Sequence, residues 1–192
     1  MSIVMDKPPK AREFTPDDLL QMPDQGQGYE LVDGELREMN VSYLSTFVAG
    51  RIYRSLANHV EPQVLGWVSP EGTSYRCFLD QRSVRRADTA FHLLGRLSAE
   101  QAMAEGLCTV VPDLVVEVVS PNDNGYEIEE KRNDWLEAGA RLVWEVYPVT
   151  KRIYAYRSSA PMLQFGPNDT LTAEPVLPEF QVPVADLFKL PA

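Results

Sequence analysis

Hydrophobic residues run almost without interruption from Leu114 to Val119, within a segment bounded by Pro112 and Ser120-Pro121. Valine and leucine occupy both alternating faces of this run, which is typical of a strand buried on both sides. Its one interior charge is Glu117. An ionised carboxylate there needs a metal ion, a cationic side chain or a proton beside it. Glu117 is therefore the first candidate functional residue. The alternative is a strand-end glutamate that bends into solvent.

A helix and a second strand follow this run. Residues 120–125 form a turn cluster, residues 126–138 have the mixed apolar and charged pattern of a helix, and Gly139 ends it. Residues 141–147 are again apolar and β-branched, which predicts a strand–helix–strand crossover in a mixed sheet. Glu117 then lies near the carboxyl end of a strand, where ligands bind in open α/β sheets.

The N-terminal third alternates between short elements. Residues 1–13 are predicted to form a loose arm, and Thr15-Pro16 begins a short helix that runs to about Met22. Alternating apolar residues around Asp33-Gly34 predict a β-hairpin over residues 29–39. Apolar residues with helical spacing then predict an amphipathic helix over residues 42–60.

Three further strands are predicted at residues 63–69, 73–79 and 83–93, as an antiparallel portion. Asp88 is an acid inside the third of them and is the second candidate; a solvated edge residue is the alternative. Residues 95–106 resemble a helical linker, residues 151–156 should pair with 141–147, and the remaining extended pieces should cover the sheet. The predicted fold class is α/β (α+β), a mixed sheet flanked by helices with an N-terminal β-hairpin.

Composition limits the functional classes. A chain of 192 residues, 44% hydrophobic and without a repeat, is most simply a single domain over residues 1–192. Two cysteines and two histidines argue against a zinc site. The sequence contains no export signal or apolar stretch of membrane-spanning length, so we expect a cytoplasmic protein that binds no membrane. A formal net charge of −10 means that any nucleic-acid contact must be local.

Two acids on neighbouring core strands with a nearby lysine fit metal-assisted phosphodiester hydrolysis. Carboxylates hold a divalent ion, and an ammonium group stabilises developing negative charge. The nearest lysine is Lys131 in the predicted helix, although it could equally be an exposed partner of Glu127. Asp113 lies four strand residues from Glu117, a separation of ~13 Å, so it is interpreted as structural or peripheral.

Several segments together resemble the Uma2 family of restriction endonucleases, within the PD-(D/E)XK nuclease superfamily. The similarity extends over about residues 13–188 in the expected order. The segments that carry it are residues 29–36, Arg86-Ala-Asp88-Thr-Ala-Phe, Pro112 to Pro121, Glu130-Lys131 followed by residues 135–139, and residues 143–148. The resemblance implies a restriction-endonuclease-like core, a divalent metal, and catalytic and metal-binding roles for Asp88 and Glu117, with the carbonyl of Val118 as a further ligand.

The chain departs from the superfamily pattern at three places. Val119 occupies the position of the usual lysine, so the resemblance implies that Lys131 has taken over that role and that Glu30 completes the catalytic cluster. Ala87 replaces the usual proline before Asp88. Ser45-Thr46 occupies a position where histidine is common, which argues against a histidine-dependent role.

Two functions from different classes are consistent with these features. The first is a Mg²⁺- or Mn²⁺-dependent endonuclease that contacts DNA locally. This hypothesis is compatible with a homodimer. The second, favoured by the acidic composition, is a catalytically weak binding or assembly module with a nuclease fold. Convergence of Asp88, Glu117 and Lys131 in a cleft rimmed by basic residues would favour the endonuclease. The candidate basic residues are Arg51, Arg54, Arg82, Arg85 and Arg86.

Overall fold

A six-stranded mixed sheet forms the centre of the computed structural model, which describes residues 13–191. The predicted N-terminal arm lies outside the described residues, apart from Glu13. Ten elements precede the central strand: α1 (Pro16–Leu20), a 3₁₀ turn (Pro23–Gly26), β1 (Tyr29–Val32), β2 (Glu35–Glu38), α2 (Tyr43–Gln63), β3 (Gly66–Pro70), β4 (Ser74–Tyr75), β5 (Arg85–Arg86), β6 (Thr89–Leu93) and α3 (Ala99–Met103).

The second half begins with the predicted central strand and its crossover helix. Its elements are β7 (Leu114–Val118), α4 (Gly125–Ala138), β8 (Leu142–Tyr147), β9 (Arg152–Arg157), β10 (Ala160–Phe165), β11 (Thr170–Ala173), β12 (Leu177–Pro183) and α5 (Val184–Leu187). The sheet order is β10-β9-β8-β7-β6-β3, with β7 and β8 parallel and all other neighbours antiparallel. The predicted strand–helix–strand crossover and mixed α+β class are therefore confirmed.

Local sequence signals set the ends of several elements. Thr15 and Ser42 each form a capping box at the start of α1 and α2, and Gly139 ends α4 with a φ of 109°. Asp33 and Gly34 both have positive φ, as a tight hairpin turn between β1 and β2 requires. These four predictions from sequence are confirmed to within a few residues.

The strand predicted over residues 83–93 is wrong as a single element. Residues 85–86 pair with β4 in a small separate sheet, whereas residues 89–93 lie in the main sheet between β3 and β7. The chain passes from one sheet to the other at Ala87-Asp88. The strand predicted over residues 73–79 is likewise reduced to Ser74–Tyr75. Residue alternation does not distinguish a continuous strand from one that changes partners.

The two faces of the sheet have different cover. On one face, α2 and the β11–β12 hairpin pack on buried sheet residues that include Val116, Trp144 and Val146. On the other face, α4 packs through Trp135 against Val115 and Val143. The tail covers the sheet as predicted, although β10 additionally extends the sheet as an edge strand. No helix within residues 13–191 is long and apolar enough to cross a membrane.

Candidate active site

Asp88 and Glu117 lie on neighbouring antiparallel strands. The ladder between β6 and β7 pairs Thr89 with Val116, and continuing it by one residue places Asp88 opposite Glu117. Backbone contacts secure this end of the ladder, because the amide of Asp88 donates to the carbonyl of Val116 at 3.1 Å. The amide of Val118 in turn donates to Oδ2 of Asp88 at 2.5 Å. The main chain of Val118 therefore lies directly against the Asp88 carboxylate.

Lys131 points inward from α4 and contacts acids of β1 and β7. Its Nζ lies 2.7 Å from Oε2 of Glu117 and 2.9 Å from Oε1 of Glu30, and it donates to the carbonyl of Arg86 at 2.7 Å. Its side chain is 17% exposed. The alternative of a surface lysine paired with Glu127 is therefore wrong. The predicted site residues Glu30, Asp88, Glu117, Val118 and Lys131 all line one cleft.

Tryptophan and arginine contacts hold the carboxylates in place. Trp135 donates its indole N–H to Oε1 of Glu117 at 2.7 Å, in the interior between α4 and the sheet. Arg85, with a side chain only 2% exposed, lies 3.1 Å from Oε2 of Glu30 and 2.5 Å from Oδ2 of Asp134. The amide of Arg86 donates to Oε1 of Glu30 at 2.8 Å. Both oxygens of Glu30 are thus occupied by donors of the chain itself.

Burial sets the protonation of this cluster. Desolvation raises the pKa of Glu117 to about 8, although Lys131 opposes this shift, and raises the pKa of Asp88 to about 6. Desolvation disfavours the charge of Lys131, but Glu117, Glu30 and Asp88 outweigh it and raise its pKa. Glu30 is also desolvated, yet Lys131 and Arg85 lower its pKa. The cluster therefore combines a charged lysine with two carboxyl groups whose ionised forms are disfavoured by burial.

The donor set fits a hard divalent cation. Among the described residues no group of three or more histidine, cysteine or acidic side chains is arranged to hold a metal ion. Magnesium, however, is commonly held by only one or two carboxylates together with water and substrate phosphate oxygens. Within residues 13–191, Oδ1 of Asp88 accepts no hydrogen bond. Asp88, Glu117 and the carbonyl of Val118 could supply such a partial set.

Asp113 lies away from this cluster, as predicted. It is 1% exposed, accepts from the amide of Leu93 at 2.9 Å, and lies 3.5 Å from Nη1 of Arg141. Its contacts join β6 to the start of β8, which is a structural role. Ser45, at the position where a histidine is common, makes a 3.0 Å hydrogen bond to Ser120 and so fixes α2 to the end of β7.

Most of the arginines predicted as a basic rim lie elsewhere. Arg82 is half-exposed and pairs with Glu13 and Asp33, and Arg51 stacks on Phe47 in α2. Of the five, Arg85 alone lines the cleft, and its donors are engaged by acids of the chain. Arg37 of β2, which no sequence signal singled out, also lines the cleft and pairs with Glu130.

Trp135 is a positioning residue that the sequence does not reveal, and Arg85, predicted as a basic rim residue, instead holds two acids of the chain. Trp135 has an ordinary apolar position in a helical pattern, and nothing local shows that its indole N–H meets a buried acid. Arg85 fits the sequence pattern of a surface residue equally well. A buried glutamate in β1 could have suggested that a buried cation lies opposite, but the bridge between Leu31 of β1 and Val84, next to β5, joins distant parts of the chain and is not visible in the sequence.

A mixed sheet with a buried carboxylate–lysine cluster at its strand ends defines an α+β protein of the nuclease-fold class. The structure is similar to that of a putative nuclease belonging to DUF820 from Anabaena variabilis ATCC 29413, with a TM-score of 0.74 and 17% sequence identity. The similarity covers 91% of this chain and 97% of the other. The family model described as "Uma2: Putative restriction endonuclease" matches residues 16–185, and the chain belongs to that family. A search of curated proteins gave no match.

Proposed function

We propose that the chain is a divalent-metal-dependent endonuclease that hydrolyses phosphodiester bonds of DNA. The observation that supports this proposal is the convergence of Asp88, Glu117 and Lys131, from three separate elements, in one cleft. Family membership supports the nuclease class, and the metal and the DNA substrate are our assignments. Asp88, Glu117 and the carbonyl of Val118 would hold the ion. When bound, a Mg²⁺ or Mn²⁺ ion would polarise the phosphate and lower the pKa of the attacking water.

Lys131 supplies a fixed positive charge. Because its neighbours keep the pKa of this ammonium group above the ordinary lysine value, it is charged at neutral pH. A charge held in a site of low dielectric stabilises developing negative charge without reorganisation. We therefore assign Lys131 to the phosphate or the attacking water, in the role of the lysine that is absent at Val119.

Glu30 and Trp135 orient these groups. Glu30 contacts Lys131 at 2.9 Å, and its second oxygen is bound by Arg85, so we assign it a positioning role in the catalytic cluster. Trp135 binds one oxygen of Glu117. Because it donates a single N–H, other lone pairs of that carboxylate stay available to a metal ion. Hydrogen bonds of this kind fix ligand orientation and commonly change activity by 10- to 100-fold, in order of magnitude.

The test is cleavage of supercoiled plasmid and of single-stranded DNA by the full chain with Mg²⁺ or Mn²⁺. Lys131→Ala should lower the rate by about 10²–10³-fold while metal affinity, measured by calorimetry, remains. Glu117→Gln should lose cleavage through lost metal binding. Lys189→Ala and Glu61→Gln, which change exposed residues of the same types, are matched controls and should cleave normally.

Lys131→Ala also leaves Glu117 without its cation and Glu30 with Arg85 alone, so folding must be checked by circular dichroism at the assay temperature. Cleavage that persists with a chelator would contradict the metal assignment, and a fully active, folded Lys131→Ala variant would contradict the lysine assignment. A folded parent that cleaves neither DNA would overturn the enzyme proposal in favour of a binding or assembly module.

A further inference from the structure

A second cavity lies on the same face of the sheet as the cleft. It has a volume of about 410 Å³, which is within the usual size of ligand pockets, and Trp67, Ser69 and His92 of β3 and β6 form its floor. The register places Trp67 opposite His92 and Ser69 opposite Ala90. Ala90 packs in the same cluster as Trp135, so the cavity and the cleft share one face.

Arg86 brings a buried positive charge to this cavity. Its side chain extends from β5, and the residue is 4% exposed. The guanidinium donates to the carbonyls of Tyr29 at 3.1 Å, Gly72 at 3.0 Å and Gln25 at 3.4 Å. It forms no ion pair with any described residue, and Glu30, the one acid that influences its pKa, is already bound by Lys131 and Arg85. Buried charges are normally paired, so this one is available to an anion.

The rest of the cavity wall carries no opposing charge. Although the chain has 28 acidic residues, none of the described residues that line the cavity is acidic. His92 is kept neutral near pH 7 because burial lowers its pKa. The polar lining consists of neutral amides and hydroxyls, among them Gln27, Thr73 and Gln101. The cavity is therefore a positive site in an acidic protein.

Aromatic rings complete the chemical pattern. Trp67 is 44% exposed, and its indole N–H is fixed by a 3.1 Å hydrogen bond to the carbonyl of Leu97. Tyr75 and His92 stack with their ring centroids 6.0 Å apart. Arginine suits a phosphate, an aromatic ring suits a base, and amides and hydroxyls suit the edges of a base. We propose that this cavity is a nucleotide-binding site in which Arg86 binds the phosphate.

The site adjoins the cleft through Arg86 itself. While its side chain lines the cavity, its amide donates to Glu30 and its carbonyl accepts from Lys131. The nucleotide could be a free nucleoside monophosphate or one unit of a strand that also enters the cleft. The second source rests on the proposed endonuclease function, whereas the binding site itself does not.

Calorimetry and tryptophan fluorescence of the full chain, without divalent ions, test the proposal separately from cleavage. The probes are adenosine 5′-monophosphate, adenosine, inorganic phosphate and a short single-stranded oligonucleotide. We expect one site for the monophosphate, with affinity about tenfold or more above that for adenosine or phosphate alone. Trp135 and Trp144 are fully buried, so a fluorescence change should come from Trp67 and be lost in Trp67→Phe.

Two variants test the proposed site in different ways. Arg86→Gln removes the charge, and Ala102→Trp fills the cavity from an exposed position of α3; each should weaken binding by about tenfold or more. Arg82→Gln, at a half-exposed arginine outside the lining, is the control and should bind normally. If Arg86→Gln does not fold, the nucleotide affinity of Ala102→Trp alone tests the proposal.

If the parent binds the monophosphate and both folded variants bind it more weakly, the ligand is a free nucleotide. Binding of the oligonucleotide alone, weakened by Ala102→Trp, supports a unit of a strand. No binding of any probe at millimolar concentration, or binding that Ala102→Trp leaves unchanged, would overturn the proposal whether or not the chain cleaves DNA.

Discussion

Glu117 shows how one residue can be costly to the fold and useful to the site. The residue is 9% exposed; Trp135 and Lys131 each bind one of its carboxylate oxygens, and Asp88 lies close enough to influence its pKa. Lys131 favours the ionised form, whereas burial and Asp88 favour the protonated form. A second cation beside this carboxyl group would favour its ionised form, because burial opposes ionisation.

The metal-free protein should lose stability as pH rises. The folded-state pKa of Glu117, about 8, lies above its ordinary value, so the stabilisation is fully present below about pH 4.5 and is lost as pH rises through 8. Asp88, with a pKa of about 6, acts in the same direction. One such proton gives a maximum slope of about 1.4 kcal/mol per pH unit. The measurement is urea unfolding with chelator between pH 5 and 8.5.

Glu117→Gln is the control for this pH dependence, because His92 has a lowered pKa and acts in the opposite direction. The difference between parent and variant should grow in favour of the variant as pH rises. Parallel pH profiles of the parent and the variant would show that Glu117 titrates normally.

Two arginines near each other in sequence should differ strongly in their contribution to stability. Arg85→Met leaves Asp134 without its cation and Glu30 with Lys131 alone, which should cost about 3–5 kcal/mol. Arg82→Met breaks a half-exposed pair and should cost about 0.2–1 kcal/mol. Denaturant unfolding of both variants at pH 7 measures the difference. Equal losses would mean that Arg85 is not the cation that holds β1 to α4.

At the scale of elements, the break between two sheets and the β1–β2 hairpin decide where the catalytic groups lie. The break at Ala87-Asp88 transfers the chain from the small β4–β5 sheet to the main sheet and leaves Asp88 at the start of β6. The β1–β2 hairpin, held to residue 84 by a bridge from Leu31, brings Glu30 to Lys131. Neither element forms the site alone, because the first contributes only Asp88 and the second only Glu30.

The same glycine-to-alanine change should have opposite effects in two elements. Gly34 has a φ of +87° in the hairpin turn, so Gly34→Ala should lower the free energy of unfolding by about 1–2 kcal/mol. Gly50 lies in α2 with open space where the methyl group of an alanine would lie, so Gly50→Ala should raise it by about 0.5–1 kcal/mol. Thermal unfolding of the two variants tests both signs. A stabilised Gly34→Ala variant would contradict the turn conformation.

At the scale of the whole molecule, acidity is the main obstacle to binding DNA. The net charge is −10, and the residues that line the cleft include six acids and three cations. The acids are Glu30, Glu38, Asp88, Glu117, Asp123 and Glu127, and the cations are Arg37, Arg85 and Lys131. Like charges facing each other across an interface are unfavourable, so DNA contact requires additional positive charge.

Divalent ions should therefore control DNA affinity as well as cleavage. With a phosphorothioate oligonucleotide that resists hydrolysis, Mg²⁺ should raise affinity by about tenfold or more relative to chelator. Fluorescence anisotropy at constant ionic strength gives the measurement, with Glu117→Gln as the variant that should lose the effect. Equal affinity with and without Mg²⁺ would argue against a metal that bridges the cleft and the phosphate.

The sequence by itself determined the local elements and identified Asp88 and Glu117 as candidate functional residues. Apolar alternation, capping residues and turn dipeptides specify β7, α4 and the β1–β2 hairpin because these signals act within a few residues. The burial of Glu117 followed from the apolar run around it. The sequence also carried enough of the family pattern for the mixed sheet to be expected.

Tertiary structure alone decided which side chains meet. Lys131 could have faced solvent, because helical spacing does not show which face of α4 packs on the sheet. The pairing of Arg85 with Glu30, the bond from Trp135 to Glu117 and the cavity around Arg86 each join residues distant along the chain. Such contacts depend on how the sheets and helices pack together, and packing is a property of the whole fold rather than of any local pattern.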